Sequence, residues 1–242
     1  MNNLPAVTKN LLIINVLCYF GIIVANRYGI DLKDVLGLHF FLASDFKLFQ
    51  LISYMFMHAD IQHIFFNMFA VWMFGRTLEQ VMGSKRFLIY YMVCGIGAGL
   101  VQELVQYVEF LTLSSSMPLE AVNLVFQEGA ELLRSRMNYV DGNMASLNST
   151  VNMPCVGASG AVYGILLAFG MLFPNSQMFV FPLPFPIKAK FFVIGYAVIE
   201  LFSGLGSSGD GVAHFAHLGG MIFGFFLIMY WRKKNNNGQF YY

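Results

Sequence analysis

Charged residues are scarce in this chain: Lys, Arg, Asp and Glu make up 11% of its 242 residues, against about 25% in an ordinary soluble domain. Apolar residues reach 57%. A water-soluble domain of this size has no core large enough to hide so much apolar surface, so a simple soluble globule is excluded and lipid becomes part of the solvent. Net charge is only +1, and the one cationic cluster is the short run Arg232-Lys233-Lys234. With no basic patch interleaved with aromatics, nucleic acid is not expected as a partner. Cysteine is sparse too: Cys18, Cys94 and Cys155 stand far apart, with no CxxC or CxxxC spacing. That argues against a disulfide framework and against a cysteine-based zinc site. No A-x-A motif follows the first apolar run, which begins at Leu11 after a single Lys9, so it reads as a retained span rather than a removed leader.

What the sequence has in abundance is long apolar runs. A membrane helix needs about 17–25 largely apolar residues, and six segments come near that length: about 10–27, 48–75, 87–108, 156–173, 189–205 and 212–231. The expected fold is all-α, a single membrane domain over 1–242 built as a six-helix bundle, with an extended polar connection at about 109–155. Orientation follows from Lys and Arg in the loops. One side holds nine (Lys9, Arg76, Lys85, Arg86, Lys188, Lys190, Arg232, Lys233, Lys234) and the other five (Arg27, Lys33, Lys47, Arg134, Arg136). Both termini are therefore expected on the cytoplasmic side, in a plasma or bacterial inner membrane. The 26 Phe residues read as lipid-facing bulk.

Polar side chains within spans are costly, about 2.5–3.5 kcal/mol for a charge at mid-membrane, and so invite a functional reading. The second span carries His58, His63 and Asn67, the fourth opens with Gly157-Ala-Ser159-Gly160 and Tyr163, and the sixth opens with His214 and His217. These three spans run in the same direction, which puts His63, Asn67, Ser159 and His217 at one depth. His63 and Asn67, four apart, share a helix face, as do Ser159 and Tyr163. His58 and His63 are about 140° apart on one straight helix and would not present both rings to a metal. His214 and His217 have a zinc-like spacing, but the sequence offers no evident carboxylate or third ligand beside them, so no metal and no cofactor is expected. A serine with a histidine base is then the natural chemistry. Gly157 and Gly160 permit close helix contact near Ser159, and free backbone N–H groups there could join His63 and Asn67 in stabilising an oxyanion. Glu103, Glu109 and Glu200 read as span-end residues reaching solvent or a partner donor, and Glu79 as a structural residue pairing with backbone N–H groups or Arg76.

The pattern Tyr54-Met-Phe-Met-His58, His58-x4-His63-x3-Asn67, Gly75-x3-Glu79-x3-Gly83, Gly157-Ala-Ser159-Gly160 and Ala216-His217-x2-Gly220 resembles the rhomboid intramembrane proteases along essentially the whole chain. The resemblance implies a Ser–His dyad without a catalytic Asp: Ser159 attacks, and His217 is base and then acid. It further implies an oxyanion hole from His63, Asn67 and the Ser159 N–H, Tyr163 stacked on His217, and His58 fixing the first outer loop. Gly220 and Gly224 would let the sixth helix approach the fourth. The implied activity is endopeptidase cleavage of transmembrane protein substrates in the bilayer, with the fifth span and the Ser203–Gly211 loop as moving parts.

Three features depart from the family pattern. Phe49 stands where many relatives carry Trp, His214 stands where a smaller or amide residue is frequent, and the 109–155 stretch is longer than usual. Within it, Ser116-Met-Pro118 predicts a helix start, with Ser116 as cap and Pro118 in the first turn. Leu119, Val122, Val125, Phe126, Leu132 and Leu133 then form the apolar side of an amphipathic helix expected to lie on the outer membrane face. Two other readings exist: a non-proteolytic rhomboid-like protein that binds membrane clients, and a small transporter with a histidine proton relay. The transporter predicts inverted repeats, which the sequence does not show.

Overall fold

Backbone polar groups in lipid must be satisfied within their own segment, and helices do this for each apolar run. A computed structural model of the chain describes residues 4–179, 185–206 and 212–234. The chain opens with α1 (Ala6–Asn26), a short α2 (Leu32–Leu36) and a one-turn α3 (Gln50–Ser53). A continuous helical rod follows: α4 (Ile61–Ala70), a π-helical turn (Val71–Gly75) and α5 (Arg76–Met82). Then come α6 (Ser84–Ser115), α7 (Leu119–Arg134), α8 (Gly142–Asn152) and α9 (Ser159–Leu172). A two-residue hairpin, β1 (Gln177–Met178) with β2 (Ile187–Lys188), precedes α10 (Ala189–Leu205) and α11 (His214–Lys234). Among the described residues three helices, α1, α6 and α11, are long and apolar enough to cross a membrane by length and composition, and α9 is a shorter apolar helix. The whole is a polytopic helical membrane bundle. Large apolar side chains such as Leu17, Phe20, Phe66, Phe202 and Phe226 are exposed on its outer surface, as suits contact with lipid.

The second predicted span, 48–75, is not one helix. Met57 is extended, and Asp60 starts a new helix by accepting the His63 N–H at 2.8 Å. An aspartate at the N-cap satisfies one of the donors a helix start leaves open, so the rod begins at Ile61 and runs on past the predicted end at 75 to Met82.

The centre of the bundle is α6, α9 and α11. Here the helices meet backbone to backbone: a Cβ on Gly220 would lie 1.9 Å from the Gly160 carbonyl oxygen, and one on Gly160 would lie 2.3 Å from Ala98 Cβ. Small residues at such seams are the usual means of close helix approach in membranes. Gly224, expected against the fourth helix, instead faces α6, where a Cβ would lie 2.3 Å from the Tyr90 hydroxyl.

At the far end of the rod, Glu79 is buried and accepts from Val7 N (2.9 Å), Thr8 N (2.7 Å), Thr8 Oγ1 (2.7 Å) and Ser84 Oγ (2.6 Å). It caps the start of α1 by accepting from backbone N–H groups, the structural pairing expected of it.

The 109–155 connection forms a second small core. Val122 and Val125 of α7 pack with Leu147 and Val151 of α8 and with Phe40 and Ala43. The amphipathic helix thus spends the buried part of its apolar face on protein, not on a membrane surface. Ser116 does not cap it: its hydroxyl donates back to Leu113 O at 2.8 Å, and Pro118 occupies the cap position without a side-chain bond. Arg134 ties α7 to the first outer loop through Asp34 (3.1 Å) and Asp45 (2.6 Å). Asn148, the acceptor of the Asn148-Ser-Thr150 sequon, is fully buried and bonded to Asn138 and Asn152.

Candidate active site

Ser159 is positioned by the strand of chain that leads into α9. Cys155 exchanges two backbone hydrogen bonds with Leu38 (2.8 and 2.9 Å), and Gly157 N–H donates to Tyr54 O at 2.9 Å. These bonds pin residues 155–157 before the helix starts at Ser159. Gly157 has φ +135°, and a Cβ there would lie 2.7 Å from His63 Nε2. Only glycine tolerates both the backbone angle and the imidazole beside it. Because Ser159 is the first residue of α9, its N–H and those just after it have no partner within the helix.

The predicted groups do converge. His217 Nε2 lies 2.8 Å from Ser159 Oγ. The Tyr163 ring stacks on His217 with centroids 4.2 Å apart and an interplanar angle of 7°. His63 and Asn67 line the same cavity of about 810 Å³ as Ser159 and His217, together with Gln102 and Gln106 of α6. Asn67 is buried, and its amide nitrogen has no hydrogen-bond partner among the described residues. The Ala59 N–H approaches His63 Nδ1 at 3.4 Å, a long contact that favours the tautomer with its proton on Nε2, toward Gly157 and Ser159. His58 is buried with its ring edge-on to His63, centroids 5.1 Å apart.

Glu200 is where sequence reasoning falls short. Far from reaching solvent at a span end, it is buried beside His217. Its Oε2 lies 2.9 Å from His217 Nδ1 and 2.7 Å from His214 Nδ1, and its Oε1 accepts from the Tyr163 hydroxyl. The carboxylate judged missing beside His214 and His217 is therefore present, and the three side chains form a compact cluster whose ligand atoms lie within 4.8 Å of one another. The 2.7 and 2.9 Å separations are hydrogen-bond lengths; donor atoms bound to one zinc at about 2.0–2.1 Å each in a tetrahedron stand further apart than that. The sequence leads to a Ser–His pair without a catalytic Asp; in the structure a glutamate, Glu200, stands within hydrogen-bond distance of His217.

A carboxylate can only accept hydrogen bonds, so facing Glu200 fixes the His217 proton on Nδ1 and leaves the Nε2 lone pair toward Ser159 Oγ. Of the moving parts expected from sequence, residues 207–211, including Asp210, lie outside the described residues, while Ser203–Leu205 are the last residues of α10.

The pattern of a family described as Rhomboid domain matches residues 45–117 and 132–234, well over half of the chain. Among curated proteins, the chain is 25% identical over 176 residues to "Rhomboid protein 1, mitochondrial" of Saccharomyces cerevisiae, covering 70% of this chain and 38% of that protein. It is 27% identical over 176 residues to "Rhomboid protease AarA" of Providencia stuartii (70% and 51%) and 27% identical over 171 residues to "Rhomboid protease GluP" of Bacillus subtilis (70% and 23%). The matches thus cover between about a quarter and a half of these relatives' own length. With a helical membrane fold, a Ser159–His217 contact and a family pattern over most of its length, the chain belongs to the rhomboid family.

Proposed function

We propose that this chain is an intramembrane serine endopeptidase that cleaves transmembrane segments of other membrane proteins. The observation that carries the reading is the 2.8 Å contact between His217 Nε2 and Ser159 Oγ, in a cavity that also holds two uncommitted donor side chains, His63 and Asn67. His217 takes the Ser159 hydroxyl proton as Oγ bonds to the scissile carbonyl carbon, and the carbonyl π pair moves to oxygen. His63, Asn67 and the Ser159 N–H receive that oxyanion. On collapse the C–N bond breaks, and His217 passes its proton to the leaving amine. Water then repeats the sequence on the acyl-enzyme and frees Ser159. Tyr163 holds the imidazole plane, Gly157, Gly160 and Gly220 set the helix contacts, and His58 buttresses His63. The reaction calls for no metal and no cofactor.

The protein is a multi-pass membrane protein. Loop charge supports both termini on the cytoplasmic side, as in a bacterial inner membrane, while the mitochondrial name of one relative leaves an organelle membrane as an equal host. The second reading, a client-binding protein without proteolysis, gains nothing from a serine and histidine in hydrogen-bond contact.

The test is cleavage of a reporter transmembrane substrate by detergent-purified protein, wild type beside Ser159→Ala and His217→Ala. Cleavage by wild type alone is expected. Equal cleavage by Ser159→Ala would remove the assigned nucleophile.

A further inference from the structure

The mechanism above uses Ser159 and His217 and leaves a buried carboxylate unexplained. We propose that Glu200 is a positioning residue that completes a Ser159–His217–Glu200 relay, and that it makes activation of the serine depend on α10 being seated against α11. This inference rests on the hydrolase reading.

Three observations carry it. First, the chain of contacts is continuous: Ser159 Oγ to His217 Nε2 at 2.8 Å, then His217 Nδ1 to Glu200 Oε2 at 2.9 Å. A carboxylate in that place selects the reactive tautomer and stabilises the imidazolium that forms when the serine proton arrives.

Second, the carboxylate is itself held. Tyr163 donates to one oxygen, and His214 shares the other with His217. The Tyr163 hydroxyl donates to one oxygen and each imidazole can offer a proton to the other, so an ionised carboxylate at this place has three donors available to it. Tyr163 therefore holds the base twice, by its ring on the His217 plane and by its hydroxyl on the base's partner.

Third, Glu200 is carried by a sparsely embedded part of α10. From residue 194 to the last described residue of α10, it is the only buried side chain, while Ile194, Val198, Ile199, Leu201, Phe202 and Leu205 are exposed. Ser159 and His217, by contrast, sit on α9 and α11, whose backbones touch at Gly160 and Gly220. Outward displacement of the end of α10 leaves the Ser159–His217 pair intact and removes its acid. Opening the bundle beside α10 and activating the nucleophile are then linked opposites: the base is fully organised only when α10 returns.

The experiment compares wild type, Glu200→Gln, Glu200→Asp and Ser159→Ala in detergent. It reads the rate of Ser159 labelling by a fluorophosphonate, kcat and KM on the reporter substrate, thermal unfolding, and the far-downfield proton signal of His217 Nδ1–H. Glu200→Gln is expected to unfold near the wild-type temperature. Its labelling and kcat should fall by about 10²- to 10⁴-fold, the upper end being the scale of the acid-to-amide change in a Ser–His–acid triad. KM should hold steady, and the downfield signal should disappear. Glu200→Asp keeps the charge and should recover part of the rate.

Labelling of Glu200→Gln within threefold of wild type, with Ser159→Ala silent, would overturn the role of Glu200 and leave the hydrolase intact. A loss in Glu200→Gln accounted for by unfolded protein would also overturn it. Wild type as silent as Ser159→Ala, toward both probe and substrate, would overturn the hydrolase reading and this inference together.

Discussion

Glu79 and Glu200 are both buried carboxylates in an apolar bundle, and both have several hydrogen-bonding partners, yet the company they keep differs. Glu79 is surrounded by the backbone N–H groups of Val7 and Thr8 and the hydroxyls of Thr8 and Ser84. None of these donors changes its protonation near neutral pH, so the assembly is a fixed joint between the start of α1 and the turn into α6. Glu200 is surrounded by two imidazoles and a phenol, and one of the imidazoles touches a serine. The donors around a buried acid, more than its burial, separate a joint from a relay. The two sites lie roughly 24 Å apart along the rod, taking 1.5 Å per residue from His63 to Glu79.

That contrast can be broken by mutation. The largest effect on stability is expected from Glu79→Ala, which leaves four donors without an acceptor. At about 1–3 kcal/mol for a buried unsatisfied group, with incomplete additivity, the loss should be on the order of 3 kcal/mol or more. It would be read as a lowered unfolding temperature, while fluorophosphonate labelling per folded molecule stays at the wild-type rate. A fall in labelling without a fall in stability would erase the distinction between the two acids.

Next in size is Tyr163→Phe, which keeps the ring over His217 and removes only the hydroxyl from Glu200. About a tenfold fall in kcat is expected, equivalent to about 1.4 kcal/mol, with little change in unfolding temperature. Comparing it with Tyr163→Leu, which removes the ring as well, separates the ring's contribution from the hydroxyl's.

The smallest effect is expected from Arg134→Ala. Its ion pairs with Asp34 and Asp45 lie at the surface, with the arginine side chain 43% exposed. Exposed pairs contribute about 0–1 kcal/mol, so the unfolding temperature should barely move and cleavage should persist. A large loss of cleavage there would give the α7–α8 core a part in the reaction that the present contrast does not include.

Much of this arrangement was readable from residue order. The common depth of His63, Asn67, Ser159 and His217 followed from three spans running the same way, because helices convert sequence position into height. The resemblance supplied Tyr163 as a stacking partner, and the rings are indeed parallel. Glu200 was missed because it lies at the opposite end of an intervening loop from His217, and because an acid near a span end has an easy solvated explanation. Yet the signal was present. Glu200 lies five residues before the end of α10, and His217 three after the start of α11. Measured back from the shared loop, that is about 7.5 Å and about 4.5 Å, nearly one level. The break in the second span was missed for a different reason. Its apolar content is continuous enough to read as one helix, and the aspartate that starts the rod at Asp60 is a local capping decision that hydropathy does not register. The α8 helix was missed because Asn148 and Asn152, polar in sequence, are buried and satisfied by side chains and backbone of neighbouring elements.

The contact between Gly160 and Gly220 has a mechanical consequence. Ser159 is adjacent to one of these glycines and His217 is one turn before the other, so the gap between nucleophile and base is set by main chain resting on main chain. Helices spaced by large side chains can settle nearer or further as those side chains change rotamer. Here there is nothing between them to compress or extend. The pair behaves like a gauge block in a soft frame: when detergent or a thicker bilayer strains the bundle, other seams yield first, and the distance that matters most to the chemistry is the last to drift.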